Sequence, residues 1–342
     1  MPDLDIFPGR PYIMIGKGGI VIKKKCFSGI CAVLIAVLLL SVCMTGAAAV
    51  QAEPGGTDFG TVDSSTGLYA ACRETAGALD ASQILVYDAT DDRILFTKTV
   101  DGGKLYPASI TKLFTACVAM EYLEPSEVLT AGDELTLVQA DSSKAYIYQG
   151  QRITAEMAVE AMMLPSGNDA ALIAAAAAGR RIAGDDTLPG ERAVETFVAE
   201  MNRQARELGF EKTHFANPDG YHVGCHYTCV NDMARIAKAA LNNPTVSKYI
   251  RVAADDVIYA SGQNNHWDNT NLLLRPDSGF YRADATGMKT GRTSQAGYCL
   301  MSAFRVKDSI LVIGIFGCKT DNERFQGAIA LLEACREHWN ER

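Results

Sequence analysis

The sequence predicts an α+β fold: a five-stranded antiparallel sheet flanked by helices, with a helical lobe inserted between its strands. Two observations carry this. Apolar strand-like runs occur near the start and again near the end of the chain, and the long stretch between them shows helical periodicity. Such strands form one sheet when the two ends meet, and the helical middle then stands as a second lobe beside a cleft.

In order, residues 53–66 are rich in Gly, Ser and Thr and read as a linker. Runs 83–88 and 94–100 are strand-like, and the turn residues of 89–93 between them make a hairpin. Pro107 lies where a helix starts, and 109–122 has apolar residues at helical spacing. Helical signals continue through 154–163, 170–178, 193–208 and 231–241, setting a helical lobe at about 126–270. Apolar strands return at 298–306 and 309–318. The last segment, 322–339, places Phe325, Ala328, Ile329 and Leu332 on one helical face. The five expected strands are the hairpin, the segment carrying Lys289 and the last two, within one domain at 67–342.

The first 52 residues differ from the rest. Lys23, Lys24 and Lys25 lead into an apolar stretch at 26–44, then small residues up to Ala52. A charged, an apolar and a small-residue region in that order describe a secretory signal, with cleavage expected near Ala52. The apolar stretch is also long enough to span a bilayer, so retention as an N-terminal anchor is the alternative. Valine at position 42, just before Cys43, spoils a lipoprotein box. Residues 1–22 carry no part of a signal and fit a start codon assigned too early. The chain is thus expected to be exported, outside the cytoplasm of a bacterium, in the wall or on the outer face of the cytoplasmic membrane.

Without residues 1–52 the chain has 27 basic and 38 acidic residues, a net charge of −11. With no basic run beyond the leader, nucleic acid is not an expected partner. Seven cysteines follow the leader: Cys72, Cys117, Cys225, Cys229, Cys299, Cys318 and Cys335. The odd number and the apolar contexts predict buried free thiols rather than a disulfide framework, which suits a weakly oxidising setting.

Three short strings carry chemistry: Ser109-Ile-Thr-Lys112, Ser166-Gly-Asn168 and Lys289-Thr-Gly291. On a helix, Ser109 and Lys112 face the same side. Lys112 can deprotonate the Ser109 hydroxyl if burial or a second cation, for which Lys289 is the candidate, lowers its proton affinity. Ser166 would pass a proton to a leaving amine, and Asn168 would hydrogen-bond a substrate amide. Thr290 would meet a substrate carboxylate, and Gly291 would let the backbone come close. The N–H groups of Ser109 and Arg292 would stabilise an oxyanion. Taken singly, each string reads more readily as a capped helix start, a turn or an exposed basic bend. Their order, spacing and placement on the expected elements favour the chemical reading.

The flanks extend the pattern. Residues 107–113, 163–171, 213–220 and 287–298 resemble serine D-Ala-D-Ala carboxypeptidases, the low-molecular-mass penicillin-binding proteins of peptidase family S11. The resemblance covers roughly 68–340 and implies a β-lactamase/DD-peptidase-like fold. It implies Ser109 as acyl-enzyme nucleophile, Lys112 as base, Ser166 as catalytic, and Asn168, Lys289, Thr290, Gly291 and Arg292 as substrate-binding. The implied substrate is a peptidoglycan stem peptide ending in D-Ala-D-Ala; β-lactams would be covalent inhibitors, and neither metal nor organic cofactor is implied. Gly167 separates this chain from class A β-lactamases, and no glutamate after Asn168 has an asparagine four residues on. Some relatives place a basic residue just after the last strand to hold the terminal carboxylate, which points to Lys319. Many relatives continue into a further β-rich domain and a C-terminal anchor, whereas this sequence stops just after its last helix, so any membrane attachment is expected through residues 26–44. His222, Cys225, His226 and Cys229 have short zinc-like spacing. Their histidines fall in stretches that resemble the carboxypeptidase pattern, and a structural or redox role is the reading preferred.

Overall fold

The computed structural model describes residues 62–100 and 103–342. The expectations for 1–22, for the leader at 23–52 and for most of the linker lie outside those residues. Apart from short 3-10 turns, the first elements are α1 (Gly67–Ala78), β1 (Gln83–Asp88), β2 (Arg93–Lys98), α2 (Thr111–Ala119) and β3 (Val128–Thr130). Next come β4 (Arg152–Thr154), α3 (Ala155–Met163), α4 (Asn168–Ala183), α5 (Gly190–Glu207), α6 (Val230–Asn242) and α7 (Pro244–Tyr249). The last group is β5 (Ala254–Ile258), β6 (Asn264–Asp268), β7 (Ala285–Thr293), β8 (Gly297–Val306), β9 (Ser309–Cys318) and α8 (Asp321–Glu337).

The main sheet has the order β2-β1-β9-β8-β7 with every neighbour antiparallel. These are the five strands expected from the sequence. β1 and β9 are apolar at almost every position because the sheet is covered on both faces. Side chains alternate between those faces. Ile84, Val86, Leu311, Ile313 and Ile315 pack with Leu68 and Cys72 of α1 and Phe325, Leu331 and Leu332 of α8. Leu85, Tyr87, Val312 and Met301 pack on the other side, in one core with the helical middle. Each such buried side chain stabilises the fold by roughly 1.5–3 kcal/mol. The strand bearing Lys289, β7, is left at the edge of the sheet.

Several elements depart from expectation, among them the short β3–β4 pair inside the helical lobe. Where the sequence reading passed from linker straight to hairpin, the chain forms α1. Its Thr66 cap accepts from the Tyr69 N–H at 3.1 Å, and Leu68, Cys72 and Ala76 are its buried stripe. The helical lobe also contains hairpin β5–β6, paired from Ala254 with Asp268 to Ile258 with Asn264. Only Val257 and Trp267 of that hairpin are buried, so its polar sequence carries little strand signal.

Where α3 meets β5, Glu160 is buried, and burial followed by the neighbouring Asp255 carboxyl pushes its own carboxyl up to about 8. The folded protein then holds a proton that the unfolded chain, at about 4.5, has released. More protons in the native state means that stability falls as pH rises between those two values. Glu160→Gln stays neutral throughout. Its melting temperature is expected to exceed that of the parent by roughly 4 °C at pH 9 and to match it at pH 5. Thermal scans at both pH values check this, and an equal shift at both would exclude it.

Candidate active site

Ser109 lies in the 3-10 turn Ala108–Ile110, which runs directly into α2. Ala108 holds a left-handed φ of 49°, and Ser166 one of 65°. Side-chain-bearing residues take such angles at a cost of about 1–3 kcal/mol, and they recur where a functional group must be aimed. Ser109 is half-buried, and Lys112 is wholly buried. Lys112 Nζ lies 3.0 Å from Ser109 Oγ, 2.7 Å from Asn168 Oδ1 and 2.7 Å from the Asp219 carbonyl oxygen.

Burial lowers the Lys112 amine to about 8, against the opposing charges of Asp219 and Asp169. Of the two causes the sequence left open, burial or the charge of Lys289, burial is the one that acts. Lys289 is itself held well below the ordinary lysine range by burial, then by the charges of Lys112 and Arg324. Its Nζ reaches the Thr270 hydroxyl at 3.4 Å and the Thr290 carbonyl at 3.2 Å. The Thr290 hydroxyl donates to that of Thr270 at 2.6 Å.

The Ser166-Gly-Asn168 string leads into α4. The Asn168 N–H bonds the Ser143 carbonyl, while Asp169 accepts from the Ala145 and Ile147 N–H groups at 2.9 and 3.0 Å. The turn thus pins the 143–147 segment beside the cleft. On the opposite side β7 presses against the nucleophile turn. A Cβ at Gly291 would lie 2.8 Å from the Pro107 carbonyl oxygen and 3.2 Å from Ser109 N, so only glycine fits there. Between these walls is a cavity of about 430 Å³ lined by Ser109, Asn168, Ser143, Tyr221, His222 and Arg292, among others. Arg292 is exposed, its guanidinium 4.7 Å from the centre of the Tyr298 ring.

Lys319 does not line this cavity; its exposed Nζ is 2.6 Å from Asp80. The cation behind β7 is Arg324 of α8. It is buried and donates to the carbonyls of Gly291 and Cys299 at 3.2 and 2.9 Å. Asp219, Thr270 and Arg324 were given no role from the sequence. The available signal was weak: Asp219 lies in Asn217-Pro-Asp-Gly220, a string that on composition alone is only a turn.

The His/Cys cluster is spent on structure. His226 is buried and held down to about 3, first by burial and then by His214, His222 and Lys112, so its ring is neutral. Its Nδ1 accepts from the Ala216 N–H at 3.1 Å, which leaves Nε2 to donate to the Thr111 hydroxyl at 2.8 Å. Cys225 is exposed, and the buried Cys229 thiol is pushed up to about 12 by burial. Among the described residues no group of three or more His, Cys, Asp or Glu is placed to hold a metal.

A half-buried serine against a buried lysine one helical turn on, with a second lysine on the facing edge strand, is the constellation of the Ser–Lys acyl-transferring enzymes. The chain belongs to the D-alanyl-D-alanine carboxypeptidase family, peptidase S11, whose family model matches residues 70–320. It is 29% identical over 260 residues to the D-alanyl-D-alanine carboxypeptidase DacF of Bacillus subtilis, a match over 75% of this chain and 62% of that protein. A D-alanyl-D-alanine carboxypeptidase of Streptomyces sp. strain K15 is 30% identical over 221 residues, 61% of this chain and 71% of its own length. The crystal structure of the Streptomyces K15 DD-transpeptidase superposes with a TM-score of 0.66 at 25% identity, covering 75% of this chain and 97% of that one. The chain therefore spans less than two thirds of the Bacillus relative's length.

Proposed function

We propose that this protein removes the terminal D-alanine from peptidoglycan stem peptides through an acyl-enzyme on Ser109. The observation that carries the reading is the 3.0 Å approach of Lys112 Nζ to Ser109 Oγ, inside a pocket where burial holds the amine at about 8. At pH 7 about a tenth of such an amine is unprotonated, against about one in 2,500 at an ordinary lysine value near 10.4. The free amine takes the Ser109 proton as Oγ attacks the carbonyl of the penultimate D-alanine. The N–H groups of Ser109 and Arg292 take up the oxyanion charge. Ser166 passes a proton to the departing D-alanine amine, and water then hydrolyses the Ser109 ester. Asn168 holds the substrate amide, while Lys289, Thr290 and the close-lying Gly291 strand receive the terminal carboxylate. The buried Arg324 supplies positive charge behind that strand, the role assigned from the sequence to Lys319.

β-Lactams would acylate the same serine and deacylate slowly. The leader at 23–52 supports export to the outer face of the cytoplasmic membrane or the wall, with attachment through 26–44 if it is not removed. A second reading, transfer of the acyl group to an amine, is favoured by the likeness to a protein described as a DD-transpeptidase.

Intact-mass spectrometry after exposure to benzylpenicillin, with D-alanine release assayed on a peptide ending in Lys-D-Ala-D-Ala, tests all of this. A single penicilloyl adduct and D-alanine release, both lost in Ser109→Ala, are expected. Release that requires an added amine acceptor would make the protein a transferase, and release unaffected by Ser109→Ala would sink the acyl-enzyme reading. No adduct and no release would leave a wall-binding protein without activity. On protein recovered from the cell exterior, the same spectrum shows whether the chain begins at Glu53.

A further inference from the structure

We propose that Asp219 is a positioning residue that orients Asn168 toward Lys112 and helps to hold the charge on that amine. This rests on the acyl-enzyme reading and extends it to a residue outside the three strings. Asp219 is only 4% exposed and lies in the turn between Phe215 and Tyr221. Its Oδ2 accepts from Asn168 Nδ2 at 2.7 Å, and its Oδ1 from the Tyr221 N–H at 3.0 Å. Both oxygens serve as acceptors, the pattern suited to a carboxylate.

The first bond fixes which way the Asn168 amide points. With Nδ2 turned to Asp219, the carbonyl Oδ1 faces Lys112 Nζ at 2.7 Å. One Asn168 N–H remains for a substrate amide. The main chain of Asp219 closes the arrangement, since its carbonyl oxygen is 2.7 Å from the same Nζ. The turn packs closely on the nucleophile turn: Gly220 has a left-handed φ of 81°, and a Cβ there would lie 1.9 Å from the Ala108 carbonyl oxygen.

Of the other titratable groups around the site, Asp169 is the one whose charge bears on Lys112. Asp169 from α4 is committed to three backbone N–H groups; Lys289 from β7 is kept low by burial; His226 is neutral; and Arg324 acts on Lys289. Of the charges that favour the ammonium form, Asp219 is the stronger, ahead of Asp169. Burial works against the charged form of both partners, raising Asp219 and lowering Lys112. Removing the Asp219 charge leaves burial less opposed, so Lys112 gives up its proton at lower pH.

The test is the pH dependence of Ser109 acylation by a fluorescent penicillin in the full-length protein, for the parent, Asp219→Asn and Asp219→Glu. In Asp219→Asn the rising limb is expected to move about one unit to lower pH, with a slower plateau from the lost hydrogen bond. Asp219→Glu keeps the charge and should hold the limb in place. A loss of rate with an unmoved limb in a folded Asp219→Asn, judged by a cooperative thermal transition, overturns the proposal. Should Asp219→Asn fail to fold, the parent decides: the Asp219 carboxyl carbon resonance must move as Lys112 titrates, and a flat response overturns it. A parent protein that takes no label on Ser109 would instead refute the acyl-enzyme reading itself.

Discussion

Lys112→Met is expected to slow acylation of Ser109 by about a thousandfold while leaving the protein folded. Methionine has nearly the length of lysine and fills irregular buried space, so the pocket keeps its volume. The loss is therefore chemical. Ser109 Oγ then has no amine within reach, and general-base catalysis by a positioned group contributes about 10²–10⁴-fold. Asn168 Oδ1 and the Asp219 carbonyl also lose their donor. Each buried acceptor left bare costs about 1–3 kcal/mol, so a lowered but cooperative melting transition belongs to the prediction. In the parent, acylation should climb with pH through about 8, where Lys112 loses its proton. In Lys112→Met that limb should vanish. Stopped-flow labelling with a fluorescent penicillin between pH 6 and 10 reads both effects, and a variant within tenfold of the parent rate would remove Lys112 from its role.

Gly220→Ala is expected to do the greatest structural damage of any single methyl group near the site. Its Cβ would lie 1.9 Å from the Ala108 carbonyl oxygen, 2.4 Å from the carbonyl carbon and 2.9 Å from Thr111 Oγ1, at a φ of 81°. The first two neighbours are backbone and cannot rotate away, so the nucleophile turn must retreat by more than an ångström to reach ordinary contact. Left-handed strain and overpacking together cost roughly 3 kcal/mol or more. In a domain of this size that is a fall of roughly 6–12 °C in melting temperature. Moving Ala108 also moves Ser109, and misplacement on that scale costs about 10²-fold in rate. Gly77→Ala is the matched control: that glycine is exposed in α1 with nothing within 4 Å of its would-be Cβ. It should gain up to about 1 kcal/mol from helix propensity. If both variants melt together with the parent, the close approach at Gly220 is not a constraint.

Much of the fold was legible because the sheet is covered on both faces. Strands such as β9 then read as long apolar runs, and α8 shows its buried stripe plainly. The final helix also announces its start, with Thr320 and Glu323 forming a reciprocal capping box. Elements held mainly by contacts with others were not legible. The stripe of α1 is only Leu68, Cys72 and Ala76, and it follows a Gly/Ser/Thr-rich stretch that reads as linker. The β5–β6 hairpin exposes most of its side chains, so its pairing leaves almost no trace in composition.

The site divides in the same way. Ser109 and Lys112 are neighbours through helical spacing, and the Lys289-Thr-Gly291 strand is recognisable by its residues; order and spacing along the chain were enough to bring these forward. The sequence by itself therefore determined the fold class and brought forward the candidate reacting groups, because both reside in local patterns of residue type. Only the tertiary structure decided what governs those groups. Asp219 stands 107 positions from Lys112, and Arg324 stands 33 from Gly291. The same packing leaves Lys319 at the surface against Asp80 and makes burial, not Lys289, the cause of the low proton affinity of Lys112. Desolvation and hydrogen-bond direction depend on which segments exclude water together, and that is a property of the assembled core rather than of any one stretch of chain.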